Sequence, residues 1–153
     1  MIQRIQSVYL FLTSVFFFCY WFFGLQWYEK GYPLIMKLFN NLELIETVLI
    51  LISYIPLIIS FLALVTIFLF KKRDLQIKVT RICLRFSLFM SLFTVFYFYN
   101  CLTYLTEIMP SQVLEFLMYA AILNPFICTY LLFLALKSIK TDNELVNSLN
   151  RIR

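Results

Sequence analysis

Charged residues divide the chain into four long apolar runs. The runs cover residues 5–28, 47–70, 86–106 and 116–136, and a charged residue bounds each of them on both sides. Each run holds about 21 to 24 residues, and a helix needs about 20 apolar residues to cross about 30 Å of hydrocarbon. Each run is therefore long enough to cross a bilayer once and too short to cross it twice.

The runs are typical of helices rather than of barrel strands, because none of them alternates strictly between apolar and polar residues. A helix also satisfies its backbone hydrogen bonds within the segment, as a dry bilayer demands. The first run is too long for the apolar part of a signal peptide, so we interpret it as an uncleaved anchor. The pattern predicts an all-α, integral membrane four-helix bundle in residues 1–136, with up-down-up-down topology. Residues 137–153 are predicted to form a short cytoplasmic amphipathic tail.

The composition agrees with membrane insertion and excludes several kinds of chemistry. Hydrophobic residues make up 63% of the chain and charged residues 14%, against about 45–50% and 25% in soluble domains. The chain has no histidine, which excludes His-based acid/base catalysis and haem held by paired histidines. Its four cysteines lack a CxxC spacing, so no metal site is indicated. We expect no catalytic residues, no cofactor and no enzymatic activity.

The distribution of basic residues predicts the orientation. If both termini lie on one side, that side holds 11 of the 13 Lys and Arg residues, and the other holds only Lys30 and Lys37. The positive-inside rule then places both termini in the cytoplasm of a bacterial inner membrane. Aromatic residues near the opposite boundary predict an outer interfacial belt. They are Trp27, Tyr28, Tyr32, Tyr97, Tyr99 and Tyr104.

Two segments outside the runs have helical patterns of their own. Apolar residues after Pro33 recur at helical spacing and predict a short helix in the outer headgroup layer, with a collapsed loop as the alternative. They are Leu34, Ile35, Leu38, Leu42 and Ile45. In the tail, Thr141 and Glu144 have the spacing of a capping box, which predicts a new helix beginning there, with a frayed terminus as the alternative.

The segment between the second and third runs is strongly basic. Its six basic residues, set against the single acidic residue Asp74, are Lys71, Lys72, Arg73, Lys78, Arg81 and Arg85. Each basic residue near an anionic leaflet contributes about 1 kcal/mol of binding. We therefore predict contact with anionic lipid headgroups at the cytoplasmic face, with a specific protein or nucleotide partner as the alternative. We expect no nucleic-acid partner.

The apolar runs contain small polar residues but no charged ones. The absence of charge argues against a pump or a proton-coupled transporter. The polar residues fall on single helical faces, and such faces pack helices together in membranes. The predicted packing residues are Ser53, Ser60, Ser87, Ser91, Asn124 and Pro125. Pro125 is also expected to kink its helix.

Three cytoplasmic segments carry a resemblance to a known family. They are the start Met1–Leu10, the hairpin Phe70–Ile77 and the tail Lys140–Val146, followed by Asn150–Arg153 at the end. They resemble an uncharacterised domain-of-unknown-function family of four-span membrane proteins from Bacteroidota. The resemblance implies a bacterial inner membrane and four helices, and it brings no catalytic residue.

The sequence thus predicts a non-enzymatic membrane protein that serves as an accessory or scaffold subunit of a larger inner-membrane complex. A membrane-protein partner or a second copy of the chain is the expected neighbour. The alternative is a small transporter or channel whose path runs along the Ser and Asn stripes. An enzyme ranks third, because no acid/base pair or nucleophile arrangement is visible.

Overall fold

The computed structural model describes residues 2–39, 43–108 and 112–151, and these residues are helical almost throughout. The helices are α1 (Ile2–Leu38), α2 (Glu43–Ser53), α3 (Ile55–Phe68), α4 (Arg73–Ile108) and α5 (Gln112–Arg151), with a 3₁₀ turn at Leu69–Lys71. Four segments are long and apolar enough to cross a membrane, namely Ile5–Gly24, Leu44–Lys71, Arg73–Glu107 and Glu115–Val146. The prediction of an all-α chain with four candidate membrane spans is confirmed.

The second apolar run differs from the prediction, because it forms two helices rather than one. Pro56 has no N–H to donate to the Ile52 carbonyl, so the regular helical pattern is interrupted at Tyr54. The Tyr54 N–H donates to the Leu51 carbonyl at 3.2 Å, and the Ser53 hydroxyl donates to the Ile50 carbonyl at 2.7 Å. Proline is well tolerated in the first turn of α3, where no intrahelical donor is required.

Hydrogen bonds between helices define which residues lie level with one another. They join Gln6 to Ser138, Ser14 to Ser60, Phe16 to Asn124, Tyr20 to Thr94, and Ser87 to Thr129. Helix α1 packs against α3, α4 and α5, and α4 packs against α3 and α5. Each of these bonds is between residues far apart in the sequence, so the bundle rests on long-range contacts.

Helix α4 is displaced along the bundle relative to α1. The Tyr20 and Thr94 hydroxyls lie 3.1 Å apart, and the Cys101 thiol donates to the Gly31 carbonyl at 3.6 Å. A residue of α1 therefore lies level with the α4 residue about 70 to 74 positions further along the chain. By this register Arg85 lies level with a part of α1 that follows Ile5 by about two turns. Two turns correspond to roughly 10 Å at 1.5 Å per residue. The basic residues of α4 thus extend alongside the apolar part of α1.

The interior of the bundle is filled by large side chains, whereas its outer surface is apolar. The largest fully buried ones include Leu10, Phe17, Ile59, Met90, Tyr97 and Leu132. Only 22% to 39% of an 18-residue apolar stretch in each candidate span is buried within the monomer, and exposed aromatic residues such as Phe61 and Phe116 cover the outside. A surface this apolar requires hydrocarbon or another chain to cover it.

The predicted separate helix in the first outer loop is wrong. Leu34, Ile35 and Leu38 belong to the last turns of α1, and Ile45 belongs to α2, while Leu42 lies outside the described residues. Ile35 is 1% exposed and packs into the bundle, whereas Leu38 at the end of α1 is exposed. Helical spacing is the same in a new helix and in a continuing one, and α1 continues through Pro33.

The predicted helix start at Thr141 is also wrong. Helix α5 is continuous from Gln112 to Arg151, and the Thr141 hydroxyl donates to the Lys137 carbonyl of the preceding turn at 3.1 Å. A threonine in this arrangement lies inside a helix and does not cap one. No glycine or proline stands between Leu136 and Thr141 to end the helix, so the capping-box spacing is coincidental here.

Two of the tyrosines predicted for the outer belt lie inside the bundle instead. Tyr97 is fully buried and Tyr32 is 9% exposed. The Tyr32 hydroxyl donates to the Leu49 carbonyl at 3.3 Å, and burial raises the pKa of Tyr32 above its usual value. Tyr99 and Tyr104 are exposed, while the side chains of Trp27 and Tyr28 lie outside the described part of the chain.

Candidate functional site

The polar face of α3 packs against α1 through a pair of serines. The Ser14 and Ser60 hydroxyls lie 3.1 Å apart, and the Ser60 hydroxyl donates to the Ser14 carbonyl at 2.9 Å. Both side chains are buried. Ser53 is the last residue of α2 and is also buried, and its hydroxyl donates to the Ile50 carbonyl of its own helix. Of the two packing residues predicted in the second apolar run, Ser60 therefore joins α3 to α1, whereas Ser53 ends α2.

The polar face of α4 contacts both α5 and α1. The Thr129 hydroxyl lies 2.7 Å from the Ser87 hydroxyl and 3.2 Å from the Ser91 hydroxyl. One turn above Ser91, the Thr94 hydroxyl lies 3.1 Å from the Tyr20 hydroxyl of α1. Ser87, Ser91 and Thr94 are all buried. These hydroxyls therefore bond to one another across helix pairs rather than facing an open passage.

Both polar atoms of the Asn124 carboxamide form hydrogen bonds within the bundle. Its Nδ2 donates to the Phe16 carbonyl of α1 at 3.1 Å, and its Oδ1 accepts from the Cys128 thiol at 3.2 Å. Pro125 is buried beside it, and α5 continues through this position. The Thr129 hydroxyl donates to the Pro125 carbonyl at 2.7 Å. The sequence-based pairing of Asn124 with another helix thus involves a backbone group, which no sequence pattern identifies.

Replacing Asn124 by leucine should lower the melting temperature by at most a few degrees. Hydrogen bonds between membrane helices average only about 0.6 kcal/mol and rarely exceed about 1.7. Thermal unfolding of the detergent-solubilised protein measures the change. The matched control is Asn100→Leu, since Asn100 bonds to the Phe96 carbonyl within its own helix. Unchanged melting combined with loss of a partner or of transport would instead give Asn124 a direct functional role.

The six basic residues predicted to bind headgroups do not form one surface. Lys71, Lys72, Lys78, Arg81 and Arg85 are exposed. Arg73 turns inward instead, and its Nη1 donates to the Asp142 carbonyl at 2.9 Å and lies 3.4 Å from the Asp142 carboxylate. This contact joins the start of α4 to the tail part of α5. The partner of Arg73 is therefore an acidic residue that lies between Thr141 and Glu144, the two residues of the predicted capping box.

Beside this contact lies a cavity of about 480 Å³, referred to below as the inner cavity. Its polar lining comes from α1, α4 and α5 and consists of Gln6, Ser7, Arg73, Gln76 and Asp142. Gln6 is 4% exposed and Gln76 is 5% exposed. Sequence reasoning missed both glutamines, because one falls at the edge of an apolar run and the other within the basic hairpin. The signal available in the sequence was a glutamine side chain near the end of an apolar run, where its amide can be buried and line a polar cavity.

Two further cavities lie elsewhere in the bundle. One of about 400 Å³ is lined by Glu29, Tyr32, Glu46 and Tyr54, among others. A smaller one of about 220 Å³ lies between α1 and α5 and includes Asn124. Within the described residues no group of three or more Cys, Asp or Glu side chains is arranged to hold a metal ion. These cavities therefore offer polar side chains for contacts with a ligand.

Comparison with known proteins gives one match. The family model described as "Domain of unknown function (DUF4293)" matches residues 2–152. No curated protein and no solved structure matches the chain. The family match runs from the start of α1 beyond the end of α5, so it covers all four candidate spans and the basic hairpin. The chain accordingly belongs to the DUF4293 family, a domain of unknown function.

Proposed function

We propose that this chain is a multi-pass protein of a bacterial inner membrane, as in Bacteroidota, that acts as a non-enzymatic accessory or scaffold subunit of a larger membrane complex. The observation that carries the proposal is that polar side chains inside the bundle are used for contacts between helices. The hydroxyl pairs Ser14 with Ser60 and Ser87 with Thr129 are the main examples. Hydrogen bonds between interior polar groups stabilise the packing of the helices, as expected of a structural subunit.

A solute path is disfavoured by what lies between those hydroxyls. Leu10, Phe17 and Met90 are fully buried in the interior. An aqueous passage requires polar groups facing an open lumen, with ionisable residues at the points where a proton or an ion is handled. The small polar residues instead bond to one another within an interior that also contains large apolar side chains.

The outer surface supports association with lipid and with another membrane protein or a second copy of the chain. Helix α5 supplies the least buried candidate span, with 22% of its 18-residue apolar stretch buried. Its outward face carries large exposed side chains, including Phe116 at 72% and Tyr130 at 63%. Aromatic side chains provide large contact areas at interfaces. We therefore assign the partner to the outward face of α5.

The proposed orientation is up-down-up-down with both termini in the cytoplasm. It is supported by the 11 basic residues at one end of the bundle and by the acidic residues Glu29, Glu46, Glu107 and Glu115 at the other. The pairing of Gln6 with Ser138 and of Arg73 with Asp142 places the start of α1, the start of α4 and the late part of α5 at a common end. This end carries most of the basic residues, and the positive-inside rule keeps basic residues on the cytoplasmic side.

Single cysteines should report this orientation. A cysteine in place of Lys37 should react with a membrane-impermeant maleimide added to spheroplasts, whereas cysteines at Leu75 or Ser148 should react only after lysis. The parent chain is the control for background labelling, because Cys19 is exposed whereas Cys83, Cys101 and Cys128 are buried. Labelling at Leu75 before lysis would reverse the orientation.

The functional proposal is tested by photo-crosslinking in the native membrane. A crosslinking amino acid at Tyr130 on α5 should give a stoichiometric adduct with another protein, and the complex should persist in mild detergent. The matched control is Leu92 on α4, which is 72% exposed and should yield little adduct. A lone monodisperse protein with no adduct contradicts the proposal. Movement of a solute by that protein in liposomes would assign the alternative of a small transporter or channel.

A further inference from the structure

We propose that the inner cavity binds the headgroup of a zwitterionic aminophospholipid of the phosphoethanolamine type. This proposal rests on the proposed insertion in a bilayer. The cavity opens where the candidate spans Ile5–Gly24 and Leu44–Lys71 reach their ends, because Gln6 and Phe70 line it. It therefore lies at the boundary between the apolar and the charged surface of the bundle, which is the depth of phospholipid headgroups.

The cavity wall presents hydrogen-bond acceptors suited to an ammonium group. Gln6 Nε2 donates to the Ser138 carbonyl at 3.2 Å, and Gln76 Nε2 donates to the Thr66 carbonyl at 3.3 Å. Each bond holds its carboxamide in place, and neither oxygen accepts a bond from another described residue. The Asp142 carboxylate adds a negative charge to the same cavity. Three acceptors match the three N–H donors of a primary ammonium.

Arg73 lies in direct contact with Asp142, so the same cavity can hold a phosphate beside the ammonium. Arg73 has five N–H donors in a planar fork that matches phosphate oxygens, and Asp142 engages only its Nη1 among the described residues. The Arg73 side chain is 23% exposed, so it remains accessible from the cavity. The Lys71 Nζ lies 5.9 Å from the centroid of the Phe70 ring, which lines the cavity, and adds positive charge near it.

The arrangement of charges selects among headgroups. An ethanolamine headgroup carries its ammonium two carbon atoms from its phosphate, so one molecule can reach both Arg73 and Asp142. A phosphoglycerol headgroup has no cation and leaves the Asp142 carboxylate without a counter-charge from the ligand. A volume of about 480 Å³ lies within the range of about 300–1,000 Å³ typical of small-molecule sites. Ile67 and Phe68 provide an apolar wall for the start of an acyl chain.

The test uses the full chain purified in detergent, with short-chain phosphatidylethanolamine or phosphatidylglycerol added. We expect phosphatidylethanolamine to raise the melting temperature and to remain bound in native mass spectrometry at least tenfold more than phosphatidylglycerol. Arg73→Gln should reduce this retention tenfold or more. Arg85→Gln is the matched control, since Arg85 is exposed on the same helix and does not line the cavity.

A second variant keeps the site testable if Arg73→Gln unfolds. Asp142→Asn should retain phospholipid but lose the preference for ethanolamine, because only the negative charge is removed. Equal retention of the two lipids by the parent chain overturns the proposal, and so does an equal loss in the Arg73 and Arg85 variants. The measurement needs neither a partner protein nor a fixed orientation, so its failure is distinguishable from failure of the proposed function.

Discussion

Removing the exposed basic charges between α3 and the middle of α4 should yield a protein that inserts in both orientations. The variant replaces five residues by glutamine and keeps Arg73, so that its contact with Asp142 is preserved. The replaced residues are Lys71, Lys72, Lys78, Arg81 and Arg85. Orientation follows the difference in Lys and Arg between short loops on the two sides. The change leaves six basic residues facing two across the membrane, where the parent chain has 11 facing two.

Maleimide labelling of cysteines at Lys37 and Ser148 measures the effect, and each site should become partly labelled in spheroplasts. The matched control replaces the three lysines of the set by arginine, which retains the charge and should retain the orientation. Anionic liposomes provide a second measurement, because salt-dependent binding should weaken when five charges are lost. A glutamine variant that inserts and binds as the parent does would show that these residues serve another purpose.

Gly31→Ala should destabilise the bundle by about 1 to 3 kcal/mol, the usual penalty for overpacking. Gly31 is buried where α1 meets α4, and a Cβ there would overlap the Tyr97 hydroxyl. Tyr97 is fully buried and packs against the Phe93 and Phe98 rings, so it has little room to withdraw. The loss corresponds to roughly 3–10 °C in melting temperature for a chain of this length.

Gly24→Ala is the matched control, because it measures the gain in helix propensity that any replacement of glycine by alanine within a helix brings. Gly24 also lies in α1, but it lines the cavity of about 220 Å³, so an added methyl has space. Alanine favours a helix over glycine by up to about 1 kcal/mol, and this variant should be neutral or slightly stabilised. Combining Gly31→Ala with Tyr97→Phe should recover part of the lost stability, because the overlapping hydroxyl is gone. Full stability in Gly31→Ala alone would contradict the close α1–α4 approach.

The sequence was informative where a property depends on neighbouring residues. Charge-free runs predicted the helices, since the length of a span is a local property. Helical spacing placed Ser87 and Ser91 on one face of α4, and both are buried. The same local signals misled where they fit two outcomes equally well. The capping-box spacing at Thr141 is compatible with an uninterrupted helix, and α5 continues through it. The apolar pattern after Pro33 is compatible with a continuation of α1, which extends to Leu38, while Ile45 belongs to α2.

The candidate site depended on information that no local pattern contains. Gln6 contacts Ser138, and Arg73 contacts Asp142, so residues separated by most of the chain form the inner cavity. Helical periodicity determines which face of α4 is buried but not how far α4 slides along α1. That distance depends on the close approach at Gly31 and on the Tyr20–Thr94 pair. The break at Tyr54 was visible only as Pro56 within a run that otherwise suits a single helix.

The displacement of α4 has a consequence for the shape of the bilayer. Because Arg81 and Arg85 extend alongside the apolar part of α1, headgroups and water follow their side chains inward when the chain is inserted as proposed. The inner leaflet is then thinned on the α4 side alone, so the deformation of the bilayer around the protein is asymmetric. Thinning carries an elastic cost for each ångström of mismatch, and a neighbour with a similarly short apolar belt shares that cost. Membrane elasticity thus distinguishes the α4 side of the protein from its other sides, and it acts before any side chains touch.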